Sequence, residues 1–226
     1  MPQQPLLDWQ PVPTPARAPL YGQYVRLEPL DLARHGDDLW QALQGPDSDP
    51  ALWDYLPYGP FSERAAFDAW LSGHAASRDP LFFSVIDLRQ QRTVGLLSYL
   101  RIAPKDGCIE IGHIAFGRAM QRSPASTEAV YLLAQLALGE LGYRRLEWKC
   151  NADNARSIRA AKRLGFSYEG LFRQHMVIKG RNRDSAWFSI LDSEWPTCTT
   201  AFKRWLAADN FDAEGRQQQR LEDLRQ

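Results

Sequence analysis

Two side chains in the segment CIEIGHIAF, residues 108–116, are of types that can remove a proton from an incoming nucleophile. They are Glu110 and His113, three positions apart in a stretch whose alternating apolar residues predict a β-strand. A carboxylate or an imidazole within hydrogen-bond reach of an ammonium group can act as a general base and release a reactive neutral amine. Glu110 is the first candidate, because its neighbours Ile109 and Ile111 are apolar and burial makes a carboxylate a better proton acceptor.

Both residues also have a purely structural interpretation. Glu110 could form a cross-strand ion pair with Arg101 or Lys105, and this alternative stays open. Strand alternation places His113 on the opposite face of the sheet from Glu110, unless a bulge intervenes. A buried, hydrogen-bonded histidine is therefore the default interpretation of His113, which is the second candidate for the base.

A second chemical signal is the segment QRSPASTEA, residues 121–129, which follows this strand. A helix that starts here presents free backbone N–H groups and the positive end of its dipole, which together bind anions. Gly112 and Gly117 have the spacing of a P-loop. Arg118 and Ala119 follow them, however, where a P-loop has Lys and Ser or Thr, so nucleotide hydrolysis is poorly supported. Without a ligand, the segment would form an ordinary capped helix.

A third signal is the pair Asn154 and Ser157 in a helix predicted over residues 154–164. Their spacing of three places both side chains on one face of that helix, where they could hold a ligand. Alternatively, Asp153 or Asn154 only caps the helix and Ser157 faces solvent. Helix physics by itself favours this second interpretation.

The elements that must position these residues alternate between strands and helices after an antiparallel meander. The predicted strands are 24–30, 81–88, 93–102, 108–116, 144–150, 166–172 and 185–195. The predicted helices are 32–44 with Asp31 as N-cap, one that starts at Ser62, 124–141, 154–164 ended by Gly165, and 197–207. We therefore expect an α/β fold with a mixed, mostly antiparallel central sheet of about seven strands flanked by helices.

A single domain over residues 21–207 accounts for this pattern, and a chain of 226 residues is long enough for one such domain. Residues 1–20 are rich in proline and glutamine, which predicts an extended arm. Residues 208–226 are polar and charged, which predicts a short surface helix or a frayed tail.

Charge and cysteine content disfavour several classes of function. The chain has 27 Lys and Arg against 27 Asp and Glu, so it has no excess positive charge for nucleic acid. Its three cysteines and four histidines show neither CxxC nor HxxxH spacing, which predicts no disulfide framework and no metal site. No apolar stretch is long enough to span a membrane and the N-terminus lacks a signal-peptide pattern, so we expect a cytoplasmic protein with no membrane partner.

The order of the elements and three motifs resemble the GNAT acetyltransferases. The motifs are QRSPASTEA at 121–129, NADNARSIRAAKRLGF at 151–166 and GRNRDSAWFSILDSEW at 180–195. Within that family, the chain is most similar to the branch that acetylates the N-termini of ribosomal proteins, over about residues 20–207. The resemblance implies the GNAT fold and transfer of an acetyl group from acetyl-CoA to an amine.

The resemblance also implies that backbone amides of the loop before the helix hold the CoA pyrophosphate. Gln121 matches the first position of the family pattern Q/R-x-x-G-x-G/A, whereas Pro124 and Ser126 stand where small residues are usual. Proline lacks an N–H, but it is tolerated at the first helical position, and Ser123 could cap the helix. The amides and hydroxyls that follow would then still bind phosphate. The implied acetyl-CoA contacts are Ile114, Phe116, Gln121, Arg122, Ser123, Ala125, Ser126, Thr127, Asn154 and Ser157.

Catalytic roles follow from the same resemblance. Asn154 would hydrogen-bond the pantetheine arm, and Ser157 would protonate the departing thiolate. The branch often has a glutamate at the position of Glu110, which would deprotonate the amine directly or through a water. No cysteine lies in a motif that activates a thiol, so we expect direct attack on the thioester without an acyl-enzyme.

The aromatic segment 51–61 is implied to wall the acceptor pocket, with Trp53, Tyr55, Tyr58 and Phe61 as substrate-binding residues, although several could belong to the core. The basic segment KGRNRD, residues 179–184, is predicted to be a solvated turn. Contact of that segment with the 3′-phosphate of CoA, or with an acidic acceptor, stays open.

A rival hypothesis is a GNAT-fold protein that binds acyl-CoA as a sensor without catalysis, and the proline in the phosphate loop is its best support. Within the enzyme class, succinyl-CoA is an alternative donor. The acceptor stays open between a protein N-terminus and a small-molecule amine. A homodimer is slightly favoured as the oligomeric state.

Overall fold

An eight-stranded sheet with the order β1-β2-β3-β4-β5-β6-β8-β7 organises the chain. The computed structural model describes residues 8–225. Its strands are β1 Leu20–Tyr21, β2 Val25–Pro29, β3 Leu81–Asp87, β4 Arg92–Ala103, β5 Cys108–Phe116, β6 Arg145–Asn151, β7 Ser167–Ile178 and β8 Arg181–Leu191. Its α-helices are α1 Leu32–Gln44, α2 Arg64–Ala76, α3 Pro124–Ala134, α4 Ala155–Leu164 and α5 Trp195–Leu206.

The predicted mixed α/β fold is confirmed. All neighbouring strands pair antiparallel except β5 and β6, which are parallel. The sheet has eight strands rather than about seven because the two-residue strand β1 pairs with β2. The single parallel pair requires a crossover between β5 and β6, and α3 supplies it.

Helices cover both faces of the sheet. On one face, α3, α4 and α5 pack against a large core that includes Ile109, Ile111 and Leu146. On the other face, α1, α2 and the 3₁₀ turn Pro50–Trp53 pack around Phe82. β5, which supplies Glu110 and His113, has residues in both apolar clusters and is therefore held between two apolar layers, which fixes its position.

Local signals set the helix boundaries where the sequence predicts them. Asp31 caps α1, since its carboxylate accepts a hydrogen bond from the backbone N–H of Arg34 at 3.0 Å. Gly165 ends α4 with a left-handed backbone, at φ 100°, that favours glycine. The helix predicted over 124–141 divides into α3 and a π-helical segment, Gln135–Glu140.

The last two strands differ from the prediction. The hairpin pairing runs to Ile178↔Arg181, so only two residues, Lys179 and Gly180, form the predicted basic turn 179–184. The prediction of a solvated six-residue turn is therefore wrong. Cross-strand pairing outweighs the polar composition of this segment, and β8 consequently begins four residues earlier than expected.

The segment before β1 runs along the domain surface in an extended conformation. Trp9 donates from its indole nitrogen to the carbonyl of Lys105 at 2.7 Å, and Arg17 donates to the carbonyl of Leu30 at 2.7 Å. Residues 1–7 of the predicted arm lie outside the described residues.

The C-terminal segment, for which the sequence predicts a short helix or a frayed tail, folds back against α4 and α5. Leu221 is fully buried in the core, and Leu224 is nearly so. Arg225 donates to the carbonyls of Arg163 and Lys162 at 2.6 and 3.2 Å, in the last turn of α4, where helix carbonyls lack partners within the helix. The two leucines supply apolar anchors that the polar composition of the segment hides.

Candidate functional site

The parallel strands β5 and β6 pair over only three residues and then diverge. Their shared ladder runs from Cys108↔Arg145 to Glu110↔Glu147. Beyond it, β5 continues to pair with β4, and β6 continues to pair with β8. The facing edges of β5 and β6 are therefore left without strand partners, and a cavity of about 190 Å³ opens at this point. A cleft between diverging strands offers free backbone groups to an extended ligand.

Seven parts of the chain line this cavity. They are the connection between α1 and α2, the C-terminal half of β4, β5 from Glu110 to Ile114, β6 from Trp148 to Asn151, the start of α4, β7 near His175, and Arg183 on β8. Glu110, His113, Ile114, Asn154, Ser157 and Tyr55 from the predicted site are all among the lining residues. The fold thus brings together residues that are up to 102 positions apart along the chain, from Tyr55 to Ser157.

A bulge in β5 puts Glu110 and His113 on the same side of the sheet. Ser98 pairs with Gly112 and Leu96 with Ala115, so β5 holds one more residue than β4 over this interval. His113 occupies a left-handed backbone position at φ 51°. The exception considered in the sequence analysis therefore applies, and both side chains reach the cavity.

Glu110 is buried and paired with two cations. Its side chain is 4% exposed, and its Oε2 lies 2.6 Å from Nη1 of Arg101 and 2.9 Å from Nζ of Lys149. The Arg101 ion pair considered in the sequence analysis is thus present, but the second partner is Lys149 rather than Lys105. Oε1 accepts no hydrogen bond from the described residues and lies on the side of Gly112.

Lys149 connects Glu110 to a second carboxylate. Its side chain is 3% exposed, its Nζ lies 2.8 Å from Oε2 of Glu147, and the ammonium sits 3.6 Å from the centre of the Trp187 ring. A lysine this deeply buried needs such compensation, because burial of an unpaired ammonium is strongly unfavourable.

His113 is an uncharged imidazole at neutral pH. Burial, and then the nearby charges of His74, Arg101 and Arg183, lower its pKa to about 4. Its Nδ1 lies 2.8 Å from the hydroxyl of Tyr58, and the two rings are stacked. Burial also raises the pKa of Tyr58, so the phenol stays protonated. At neutral pH, the pair can exchange hydrogen bonds but carries no charge.

The four predicted pocket aromatics fall into two groups. Tyr55 lines the cavity and donates from its hydroxyl to the carbonyl of Asp153 at 3.1 Å. Tyr58 contacts His113 as described. Trp53 is 1% exposed and, with Phe61, packs edge to face in the aromatic cluster beneath α1 and α2, away from the lining. The implied role of Trp53 and Phe61 as pocket walls is not supported, because their rings pack inside the connection between α1 and α2 and do not line the cavity.

Asn154 and Ser157 are linked to each other as well as exposed to the cavity. Asn154 is the N-cap of α4, and its side-chain oxygen accepts from the backbone N–H of Ser157 at 3.0 Å. The hydroxyl of Ser157 accepts from the indole nitrogen of Trp148 at 2.9 Å, so its own proton is free to be donated elsewhere. Capping and a position in the cavity are therefore compatible. Cys150 lies beside them, and burial raises the pKa of its thiol.

At the start of α3, Pro124 occupies the first helical position as expected, but Ser123 does not cap the helix with its side chain. Its hydroxyl donates instead to the carbonyl of Met120 at 2.7 Å. The hydroxyl of Ser126 donates to the carbonyl of Ser123 at 2.8 Å.

The other residues implied to contact CoA in this loop differ from one another in their exposure to solvent. Thr127 is buried and its hydroxyl accepts from Arg163 at 2.9 Å, so the prediction that two hydroxyls serve as outward donors is wrong for it. Gln121 and Arg122 are exposed, and Ala125 is buried in the core. Phe116 ends β5, where it pairs with Gly95 of β4. This leaves the backbone amides after Pro124, rather than the hydroxyls, as the groups available to an anion.

Sequence reasoning did not single out Lys149 or His175, and it left open a contact of the segment that holds Arg183 with CoA or an acidic acceptor; all three residues line the cavity. Lys149 lies in a strand with the alternating pattern RRLEWKC, where a lysine is normally read as exposed. Arg183 was assigned to a solvated turn. Only the pairing of β8 with β6 and β7 could have placed both beside Glu110.

Two further observations concern the described part of the chain. No group of three or more His, Cys, Asp and Glu side chains in residues 8–225 is arranged to hold a metal ion. None of the helices described is both long and apolar enough to cross a membrane.

Three comparisons relate the chain to known proteins. The family model described as "Acetyltransferase (GNAT) domain" matches residues 25–167. The crystal structure of a GCN5-related N-acetyltransferase from Brucella melitensis is similar with a TM-score of 0.95 and 48% identity, over 97% of this chain and 99% of that one. A structure from Chromobacterium violaceum, described as a probable acetyltransferase of the GNAT family, has a TM-score of 0.79 and 43% identity over 87% and 98% of the two chains. The uncharacterized N-acetyltransferase p20 of Bacillus licheniformis is 30% identical over 156 residues, which are 66% of this chain and 84% of that protein.

Proposed function

The chain belongs to the GNAT acetyltransferase family and is an N-acetyltransferase, and we propose that it transfers the acetyl group of acetyl-CoA directly to a primary amine held in the cavity between β5 and β6. The observation that carries the proposal is the divergence of these two strands after Glu110 and Glu147. At this divergence lies the cavity that Glu110 of β5 and Ser157 of α4 both line.

The donor would bind along the free edge of β5. Backbone groups near Ile114 and Phe116 have no partner strand on that side, so they can pair with the amides of an extended pantetheine arm. The N-terminus of α3 follows directly in the chain and offers the amides of Ala125 and Ser126 to the pyrophosphate. Pro124 removes one donor without blocking the others.

Glu110 is the proposed general base. Its Oε2 is occupied by Arg101 and Lys149, so Oε1 is the atom that would accept the amine proton, directly or through a water. His113 is the weaker candidate, because a pKa of about 4 makes it a poor proton acceptor at neutral pH and Tyr58 engages one of its ring nitrogens.

Ser157 is the proposed proton donor to the departing thiolate. Trp148 donates to the serine oxygen, which orients the hydroxyl and leaves its hydrogen available to the sulfur of CoA. Asn154 fixes the start of α4 and thereby positions Ser157. Its amide could also bond the pantetheine arm, since it lines the same cavity.

Attack is proposed to be direct, without an acyl-enzyme. Cys150 is the thiol that reaches the cavity, and burial raises its pKa and keeps it in the unreactive protonated form. A Cys150→Ala enzyme should therefore keep turnover within a few-fold of wild type. Loss of all activity in that variant, with CoA binding and folding intact, would favour an acyl-enzyme instead.

The test of the function is release of free CoA from acetyl-CoA in the presence of a panel of primary amines, with the acetylated product identified by mass spectrometry. Amine-dependent release supports the proposal. Binding of CoA without transfer to any amine in a broad panel, including peptides with free N-termini, would support the non-catalytic sensor. Faster release with succinyl-CoA would replace the donor but keep the mechanism.

A further inference from the structure

We propose that the acceptor amine carries an anionic group, a carboxylate in the first instance, and that Arg183 binds this group while Glu110 faces the amine. The inference rests on the proposed transfer to an amine and names the class of that amine. It is argued from a cation in the cavity that forms no ion pair with any carboxylate in the described part of the chain.

Arg183 is partly buried and lines the cavity from β8. Its Nε donates to the hydroxyl of Ser185 at 3.2 Å, which orients the guanidinium. No carboxylate in residues 8–225 lies within 4.0 Å of it. The two terminal nitrogens, which form the fork that binds carboxylates bidentately, are thus free of protein carboxylates.

The other cations of the cavity are already neutralised. Arg101 and Lys149 share Glu110, and Lys149 also contacts Glu147 behind the cavity wall. Glu110 is the one carboxylate among the lining residues, against the three cations Arg101, Lys149 and Arg183. Counting Glu147 as well gives two carboxylates against these three cations, and Arg183 is the one of the three that forms no ion pair within residues 8–225, in a chain whose total formal charge is zero.

The positive charges of the cavity change the pKa values of the titratable groups around it. Burial is the main cause that lowers the pKa of His113 and of His175, and in both cases the charges of Arg101 and Arg183 lower it further. Burial is the main cause that lowers the pKa of Arg183 itself, whereas the charges of Cys150 and Glu110 raise it and that of Arg101 lowers it. The same field would repel a diamine or a polyamine, whereas an amine with its own negative group would relieve it.

The position of Arg183 argues against a role in holding the phosphates of CoA. None of residues 117–127, where the resemblance places the pyrophosphate, lines this cavity. The cavity is instead continuous with Tyr55, Leu56 and Pro57 of the connection between α1 and α2. Of the basic residues near the hairpin turn, Arg181 is exposed and Lys179 donates to the carbonyl of Trp53 at 2.8 Å, so neither points into the cavity.

The experiment compares matched acceptors with wild type, Arg183→Gln, and Arg181→Gln as the control on the same strand. The acceptors are glycine, β-alanine and γ-aminobutyrate, each beside its uncharged amide, with 2-aminoethylphosphonate as a phosphonate arm. Two peptides extend the comparison to a polypeptide acceptor. One has an N-terminal glutamate and the other an N-terminal glutamine, and both are amidated at the C-terminus, so they differ only in the side-chain carboxylate. For each pair, kcat/KM is measured at saturating acetyl-CoA.

We expect the carboxylate member of at least one pair to exceed its amide in kcat/KM. Arg183→Gln should lower kcat/KM for that carboxylate acceptor by about 10- to 100-fold, the effect expected when a charge-assisted hydrogen bond is lost. The amides, the KM for acetyl-CoA and the Arg181→Gln enzyme should change by less than about threefold. The pair that responds identifies the source of the anion, whether a small amino acid, a phosphonate or an acidic peptide.

Equal use of amides and acids, with no effect of Arg183→Gln, would overturn the inference and leave the acetyltransferase intact. A rise in the KM for acetyl-CoA in Arg183→Gln, absent when 3′-dephospho acetyl-CoA is the donor, would assign Arg183 to the donor and also overturn it. If no amine is acetylated at all, the proposed function fails. Binding of an anionic group by Arg183 is then tested separately, by measuring whether the same acids raise the thermal midpoint of the protein in the presence of CoA. Stabilisation by these acids that persists in Arg183→Gln, or that is missing in wild type, would contradict binding of the anionic group by Arg183. Arg183→Lys keeps the positive charge and serves as the control for folding.

Discussion

Oε2 of Glu110 lies 2.9 Å from Nζ of Lys149, across the last paired position of β5 and β6. The ion pair therefore joins the two strands at the point where they separate. Lys149 has a second partner in Glu147, whereas the Oε1 atom of Glu110 has none in the described residues. This difference allows a structural role of the network to be separated from a catalytic role of Glu110.

Glu110→Gln should lower turnover by about 10²–10⁴-fold at neutral pH, the usual contribution of a general base. The loss should shrink as the pH approaches the pKa of the acceptor, because the amine then arrives deprotonated. Glu147→Gln is the control, since it removes a partner of Lys149 without altering the cavity wall. It should reduce thermal stability but keep the pH profile of turnover. A Glu110→Gln enzyme within a few-fold of wild type would exclude Glu110 as the base.

Ser157→Ala should lower turnover while leaving CoA affinity nearly unchanged, because proton donation acts in the transition state. Asn154→Ala should weaken CoA binding and also destabilise the start of α4 by loss of its cap, about 1 kcal/mol. Calorimetric titration with CoA and steady-state kinetics separate the two effects. If Ser157→Ala weakened CoA binding and Asn154→Ala lowered only kcat, the assigned roles would be reversed.

CoA should raise the thermal midpoint of the protein, as a ligand of the native state must. Ser126→Glu should abolish this shift by placing a negative charge at the start of α3. Ser193→Glu is the matched control, since Ser193 is exposed in the turn before α5. Thr127 is unsuitable for the same change because it is buried against Arg163. A wild-type protein without any shift at about 1 mM CoA would contradict donor binding, since even weak binding registers at that concentration.

His113 should contribute to acid sensitivity. Its pKa is lowered from 6.5 to about 4 in the folded protein, so the unfolded chain binds more protons between these values and stability falls as the pH falls through them. The full shift corresponds to roughly 3 kcal/mol. Urea unfolding of His113→Gln at pH 7 and pH 4.5 should show a smaller loss of stability than wild type. Equal losses would mean that the imidazole is not held neutral by the fold.

Much of the fold can be predicted from the sequence. The alternation in 108–116, the cap at Asp31 and the glycine at 165 are local signals, and the structure confirms the elements they predict. The resemblance to the GNAT family is also carried by short motifs in a fixed order, and the family match confirms it. The ribosomal-protein branch, the cytoplasmic location and the homodimer stay predictions.

Contacts between distant strands decide the composition of the cavity. Lys149 and Arg183 belong to segments whose composition indicates surface or turn, and only their pairing with neighbouring strands turns them toward Glu110. The bulge that brings His113 to the same side of the sheet as Glu110 depends on the register between β4 and β5. The alternation of residues along one strand carries no information about that register.

Which residues could bind and react can be inferred from the amino-acid sequence, because residue type and local spacing are properties of one segment at a time. Tertiary contacts, in turn, bring some of these residues into one cavity, pack Trp53 and Phe61 in the core, and leave Arg183 without an ion pair among residues 8–225. Those outcomes depend on register, burial and the sum of charges from many segments. The physical reason is that long-range packing energies, rather than local propensities, fix them.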